Sequence, residues 1–239
     1  MTTYHISWVA GAAIALALMP AFAQDDAAEP ADEGSTTEAT VTEAQPADAD
    51  TTEADADQPA PSLLELQPTD RVLGDRDAPV TIFEFSSLTC PHCAAFHNET
   101  LPRIEAELID TGKANLVIRH FPLDQVAFQA ATVADCVPEA QYYTFIAVLY
   151  STQPQWATSS NPLQSVLQTA MLAGVPQATL TACVADESIG NTILSTRLRA
   201  QSELDVGSTP TFFVGGEEIR GAQDFDTFAE AVAAATPAE

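Results

Sequence analysis

Two cysteines with two residues between them, Cys90 and Cys93, stand where a strand-like run hands over to a helix-like one, and few folds accommodate that junction. Val80-Thr81-Ile82-Phe83-Glu84-Phe85 is a β-branched and aromatic run introduced by Pro79, the pattern of a buried strand. Ser86-Ser87-Leu88-Thr89 supplies the turn out of it. From Cys90 onward Ala94, Phe96, Leu101, Ile104 and Leu108 recur at roughly helical spacing, and the pattern stops at Thr111-Gly112, with the glycine as C-terminal cap. Ala114 to Arg119, with Leu116, Val117 and Ile118 at its centre, reads as a second strand stopped by Pro122. A strand, a helix and a second strand joined at this length predict a parallel β-α-β unit.

Downstream, helical patterns occupy 125–136, 139–150, 163–173, 177–185 and 187–203. Strand character returns at Thr211 to Val214, turns at Gly215-Gly216, resumes at Glu218 to Arg220 and gives way to an amphipathic helix from Asp224 to Ala235. The expected fold class is α/β, with a sheet interrupted by a helical insertion at about 124–204.

Composition divides the 239 residues further. All eight Lys and Arg residues lie at Arg71 or beyond, and the net charge of −26 leaves no basic face to release counterions from a nucleic-acid backbone, so nucleic acid is excluded as a partner. Segment 24–62 carries 12 acids, and Val41 is its sole branched aliphatic residue, so it cannot bury enough apolar area to offset the entropy of ordering. It is expected to be a disordered acidic tether, leaving 63–239 at −14. Ile6 to Leu18 is nearly all apolar and is followed by Pro20 and Ala21-Phe22-Ala23, the small-x-small pattern of a cleavage site. Residues 1–23 therefore read as a signal peptide, with an uncleaved anchor as the alternative; either places the domain outside the cytoplasm.

The chemistry concentrates at Cys90-Pro91-His92-Cys93. A thiol at a helix N-terminus faces unpaired N–H groups and the positive end of the helix dipole, which favour thiolate, so Cys90 is the expected nucleophile. Pro91 suits the first helical position because its missing N–H would have had no partner there. Cys93, one turn in, closes the ring. The imidazole of His92 is expected to add to the stabilisation of the thiolate, and so of the reduced form. A pKa falling from ~8.5 to ~4 would favour the reduced state by roughly 4 kcal/mol at neutral pH, or about 90 mV of oxidising potential. A closed structural bridge and half of a zinc site are the competing readings. A zinc site needs two more ligands at similar spacing, and Cys136 and Cys183 have no paired Cys or His beside them. A bridge across two residues closes too small a loop to add much stability.

Two more elements are expected at the site. Pro210, preceded by Thr209, starts an otherwise good strand and suggests a special turn such as a cis bond. Glu84 interrupts the apolar run before Cys90, so a buried carboxylate beneath the site is expected to exchange a proton with Cys93; a solvated or paired acid is the alternative. His97 and His120 read as surface or packing residues.

Taken together, Cys90-Pro91-His92-Cys93, Glu84 six residues before it, and Thr209-Pro210 after a helical insertion resemble the DsbA family of thioredoxin-fold thiol:disulfide oxidoreductases, over about residues 70–235. Ala78-Pro79-Val80-Thr81-Ile82, His120-Phe121-Pro122-Leu123-Asp124 and Thr209-Pro210-Thr211-Phe212-Phe213 resemble its alphaproteobacterial members. The resemblance implies a thioredoxin fold with an inserted helical domain and a cis Thr209-Pro210 bond against the disulfide. It also implies oxidation of unfolded exported proteins through a mixed disulfide at Cys90, in the periplasm. It implies a DsbB-like quinone-linked membrane protein for reoxidation, and no cofactor beyond the Cys90–Cys93 disulfide. Some relatives carry a second disulfide in the insertion, which here would join Cys136 to Cys183. Thr209 departs from the Val of the best-known members and recurs in isomerase-type relatives, so isomerase or reductase activity is the alternative function, with a non-catalytic chaperone-like module after it. Isomerase relatives dimerise through a structured N-terminal domain that segment 24–62 cannot build, so a monomer is expected.

Overall fold

The computed structural model describes residues 62–237. The expected signal peptide at 1–23, and all of the expected tether except Ser62, lie outside the described residues.

The four strands β1 (Val80–Ser86), β2 (Ala114–His120), β3 (Thr211–Val214) and β4 (Glu217–Arg220) form one sheet in the order β2-β1-β3-β4. β1 and β2 are parallel, as the β-α-β reading predicts, with Glu84 opposite Ile118 and Ser86 opposite His120. β3 runs antiparallel to β1, placing Phe212 opposite Glu84, and β4 pairs antiparallel with β3. The β3–β4 turn needs Gly215 and Gly216, both at positive φ, and a Cβ on Gly215 would meet Ala235 at 2.3 Å.

Both faces of β1 are covered, and every residue of the strand except the half-buried Thr81 is buried. Phe83 and Phe85 point into a smaller core with Val117, Phe121, Val206 and Phe213. Ile82, on the opposite face, joins the main core with Cys93, Phe96, Phe145, Leu149, Phe212 and Phe228. Period-2 alternation sends Glu84 and Ser86 to that same face, so two polar side chains enter the main core directly under the helix that carries the cysteines.

That helix is not one regular α-helix. It is α-helical at α1 (Pro91–Ala95) and α2 (Leu101–Ile104), with π-helical turns at Phe96–Thr100 and Glu105–Ile109. Pro102 accounts for the first wide turn: its ring cannot sit against the carbonyl four residues back, so the Leu101 N–H reaches to Phe96 O instead. Gly112, at φ 72°, ends the element as expected.

The insertion contains α3 (Gln125–Asp135), α4 (Glu139–Ser151), α5 (Gln153–Ala157), α6 (Pro162–Leu172), α7 (Gln177–Val184) and α8 (Glu187–Glu203), and α9 (Phe225–Ala235) closes the fold. Its N-caps are legible in the chain: Asp124, Asn161, Asp186 and Asp224 accept from the first-turn N–H groups of α3, α6, α8 and α9. The five-residue α5 has no counterpart in the sequence reading, because Pro154 and a single turn give no periodicity to detect. Cys136 and Cys183 are joined in a disulfide, Cα–Cα 5.8 Å, tying the end of α3 to α7. Among the described residues no helix is long and apolar enough to cross a membrane.

Candidate active site

Cys90 is the N-cap residue of α1 and Pro91 its first helical residue, the arrangement expected from the sequence. The preceding turn closes with Cys90 N–H donating to Ser87 O at 3.0 Å. The insertion holds this turn from two sides. Asp124 accepts from the Thr89 hydroxyl at 2.6 Å while capping α3, and the Gln153 amide donates to the carbonyls of Leu88 and Cys90 at 2.8 and 3.0 Å. Gln153 is buried and went unrecognised in the sequence together with its helix.

The loop before β3 approaches from the other side. Thr209-Pro210 is a cis peptide bond, and the Cys90 thiol donates to the Thr209 carbonyl at 3.3 Å. Pro210 O in turn accepts from Gly221 N at 2.8 Å, fixing the loop to the strand beyond it. Cys90 and Cys93 are both buried free thiols, 5 % and 0 % exposed.

Their environments pull the two sulfurs in opposite directions. The Cys93 thiol donates to the Cys90 sulfur and lowers its pKa to about 5; burial opposes this, and the Thr209 hydroxyl and the peptide N–H groups of Cys93 and His92 reinforce it. Burial pushes Cys93 far above the ordinary thiol range, and its bond to Cys90 and the charge of Glu84 push it further. Cys90 is thus a thiolate at neutral pH and Cys93 a thiol. The part played by His92 differs from the expectation. Its side chain is exposed and its ring makes no hydrogen bond among the described residues; what it supplies to Cys90 is its backbone N–H, which the first turn of a helix leaves free.

Glu84 is fully buried, as expected, and its partner is His97, whose Nε2 lies 3.0 Å from each carboxylate oxygen. His97 is 8 % exposed and stacks on Tyr150 at 4.1 Å between centroids. The Tyr150 hydroxyl is 2.7 Å from Ser86 Oγ, and Ser86 also hydrogen-bonds Cys93. His97, Tyr150 and Ser86 were missed as site residues. One signal existed: His97 follows Cys93 by four residues, one turn along the same helix face. His120, likewise read as surface or packing, is buried and bonds the Tyr142 hydroxyl at 3.1 Å, away from the two thiols. Among the described residues no group of three or more His, Cys, Asp and Glu side chains is placed to hold a metal ion.

A dithiol with one ionised sulfur at a helix start, faced by a cis-proline loop and backed by a buried carboxylate, defines a thioredoxin-fold redox protein. The chain belongs to the thioredoxin family, whose model matches residues 66–234, and within it the chain is DsbA-like. Among solved structures it is similar to alpha-DsbA1 of Wolbachia pipientis, with a TM-score of 0.68 and 28 % identity over 73 % of this chain and 94 % of that one. BdbD of Bacillus subtilis, at 22 % identity over 70 % of this chain and 92 % of that one, shares the fold with a TM-score of 0.63. A protein of Rickettsia prowazekii named a protein-disulfide oxidoreductase is 29 % identical over 73 % of this chain, which spans 64 % of that relative's length.

Proposed function

We propose that the protein is a thiol:disulfide oxidoreductase that donates its Cys90–Cys93 disulfide to exported proteins in the periplasm. A substrate thiolate attacks Cys90 Sγ, the Cys90–Cys93 bond breaks, and Cys93 leaves with the electron pair and takes up a proton. A second substrate thiolate then attacks the substrate sulfur of the mixed disulfide, the substrate is oxidised, and Cys90 departs as the thiolate its surroundings stabilise. The protein is left as the dithiol, and a DsbB-like quinone-linked membrane protein reoxidises it. No cofactor beyond the cysteine pair takes part, and the protein acts as a monomer.

The observation that carries this reading is the ionised Cys90. Lowering its pKa from 9.0 to about 5 favours the reduced form at neutral pH by about 3 kcal/mol, or about 60 mV for a two-electron couple. A disulfide whose reduced form is favoured is handed on readily. The relatives named as protein-disulfide oxidoreductase and alpha-DsbA1 support the same activity.

Redox titration of the Cys90/Cys93 pair against glutathione tests it. A potential well above that of thioredoxin, with oxidation of a reduced unfolded protein that is lost in Cys90→Ala, is the expected result. Equilibration in the thioredoxin range would make the protein a reductase, and full activity without Cys90 would remove the cysteine pair from the mechanism.

A further inference from the structure

Gln153 is 6 % exposed and reaches from α5 into the turn that carries Cys90. Its side-chain amide donates to two backbone carbonyls, Leu88 O at 2.8 Å and Cys90 O at 3.0 Å, which uses both N–H bonds that the nitrogen has to give. The Leu88 carbonyl has no other hydrogen-bond partner among the described residues, and the Cys90 carbonyl shares Gln153 with the Ala94 N–H at 3.1 Å. Gln153 is itself firmly held. Trp156, on the same single turn of helix, is buried and donates from Nε1 to Leu149 O at 2.7 Å, and the Thr152 hydroxyl donates to Val148 O at 2.7 Å. The bond from Thr89 to Asp124 also ties this turn to the insertion, but it is exposed and competes with water. The buried amide is therefore the stronger tie, because a buried carbonyl that loses its donor cannot turn to solvent.

The two carbonyls bracket the backbone torsions of Thr89 and Cys90, the torsions that decide where the Cys90 sulfur points. Cys90 precedes the first helical residue, with an extended backbone at φ −77° and ψ 121°, and one bond from its own helix, that of Ala94, reaches its carbonyl. The groups that favour its thiolate lie elsewhere, on the first turn of α1 and on the Thr209 loop. How tightly the turn must be held depends on the redox state. In the disulfide, the covalent bond to Cys93 keeps the Cys90 sulfur over the first turn of α1 whatever Gln153 does. In the dithiol, hydrogen bonds alone keep it there.

We propose that Gln153 is a positioning residue that makes the Cys90–Cys93 disulfide more oxidising, by holding the turn so that the reduced Cys90 sulfur stays within reach of its donors. The proposal deepens the oxidoreductase reading and rests on it. Gln153 acts through the backbone of the turn, and through it the inserted helices bias the redox pair toward the dithiol. The competing role is a plain strut between the insertion and the sheet. Loss of a strut weakens both redox forms alike and leaves the potential where it was.

The full-length protein is equilibrated with glutathione, one protein disulfide and two glutathione thiols giving the dithiol and one glutathione disulfide. The two redox forms are trapped by acid and counted by mass spectrometry after thiol labelling. Gln153→Met keeps the length of the side chain and removes both donors. Its equilibrium constant for reduction should be about tenfold lower than that of wild type, the size of effect expected for lost buried hydrogen bonds, which makes the pair about 30 mV less oxidising. Gln153→Glu keeps the wild-type shape, retains at most one donor, and should lower the constant in the same direction. Urea unfolding of both redox forms of each variant gives a second reading, because the four states close a cycle: the reduced form should lose more stability than the oxidised form, by the same factor. Lower overall stability does not by itself move a constant that compares two folded forms. A constant that stays at the wild-type value while both forms weaken equally makes Gln153 a strut and overturns the proposal, as does a constant that rises. A wild-type protein that fails to exchange with glutathione removes the oxidoreductase reading instead; a wild type that exchanges, with both variants titrating alongside it, removes the present proposal alone.

Discussion

The Cys90 thiol donates to the Thr209 carbonyl oxygen across 3.3 Å, while among the described residues the buried hydroxyl of the same threonine has no hydrogen-bond partner other than the one that sulfur offers. Ionisation reverses what Cys90 needs. A thiolate has no proton to give the carbonyl, and the Thr209 hydroxyl, free of other obligations, is the donor at hand. One residue thus serves both protonation states, through its backbone in one and its side chain in the other.

Thr209→Val keeps the branched shape and removes the donor. Hydrogen bonds to charged groups contribute roughly 1.5–3 kcal/mol, so the Cys90 pKa should rise by roughly one to two units. Ultraviolet thiolate absorbance followed down an acid series measures this directly, and the glutathione equilibrium should shift toward a less oxidising pair in step with it. An unchanged absorbance curve would leave the hydroxyl with no part in holding the thiolate.

The largest influence on Cys90 is the Cys93 thiol as donor. Cys93→Ser retains an O–H in that place and should leave Cys90 ionised well into acid. Cys93→Ala retains nothing, so its Cys90 should titrate about one unit or more higher than in Cys93→Ser. Iodoacetamide trapping rates against pH distinguish the two variants, since only the thiolate reacts. Coincident curves would mean that the helix N–H groups and Thr209 suffice without Cys93.

The sheet and the cysteine-bearing helix were legible because each carries a local signature. β1 is a β-branched run covered on both faces, and Pro91 and Gly112 punctuate the helix at its two ends. Cys90, Pro91, Cys93, Glu84 and the cis Thr209-Pro210 bond could be placed for the same reason: each is an exception to its local pattern. The first π-helical turn was not legible, because the Pro102 ring changes which carbonyl the Leu101 N–H reaches without disturbing the apolar spacing. Nor was the company that Glu84 keeps. His97 reaches it, and Tyr150 stacks on His97, only when the cysteine-bearing helix and α4 pack on one face of β1, and a histidine at helical spacing carries no mark of the carboxylate it will find. Gln153 is hidden more deeply still, on a single-turn helix with no period.

Reduction should stabilise the fold in a pH-dependent way. A thiol whose pKa falls from 9.0 unfolded to about 5 folded contributes stability that is fully present above the unfolded value and is lost as pH falls through the folded one. Between these limits the reduced protein should gain on the oxidised protein by about 1.4 kcal/mol per pH unit, reaching about 3 kcal/mol at neutral pH from this group. Cys93 moves the other way, but its effect begins only where an unfolded thiol would ionise, near 9. Subtracting urea-unfolding free energies of the two redox forms at each pH isolates the contribution, since the oxidised form has no thiol at either position. A flat difference through this window would contradict the ionised Cys90.

The second disulfide should act on stability and leave the redox chemistry alone. Cys136 and Cys183 are 47 residues apart in sequence, and closing a loop of that length restricts the unfolded chain by about 4 kcal/mol on the chain-entropy account. The bridge ties the end of α3 to α7, whereas the groups that set the Cys90 pKa come from α1 and the Thr209 loop. Replacing both cysteines by alanine should therefore lower the urea midpoint by an amount corresponding to about 2–4 kcal/mol, after relaxation of the native state. The thiolate absorbance curve of Cys90 should stay where it is. The two readings together discriminate, because Asp124 caps α3 and also holds Thr89 of the active-site turn. If loosening α3 at its far end reached that turn, the Cys90 curve would shift along with the midpoint, and α3 would be part of the redox machinery instead of its scaffold.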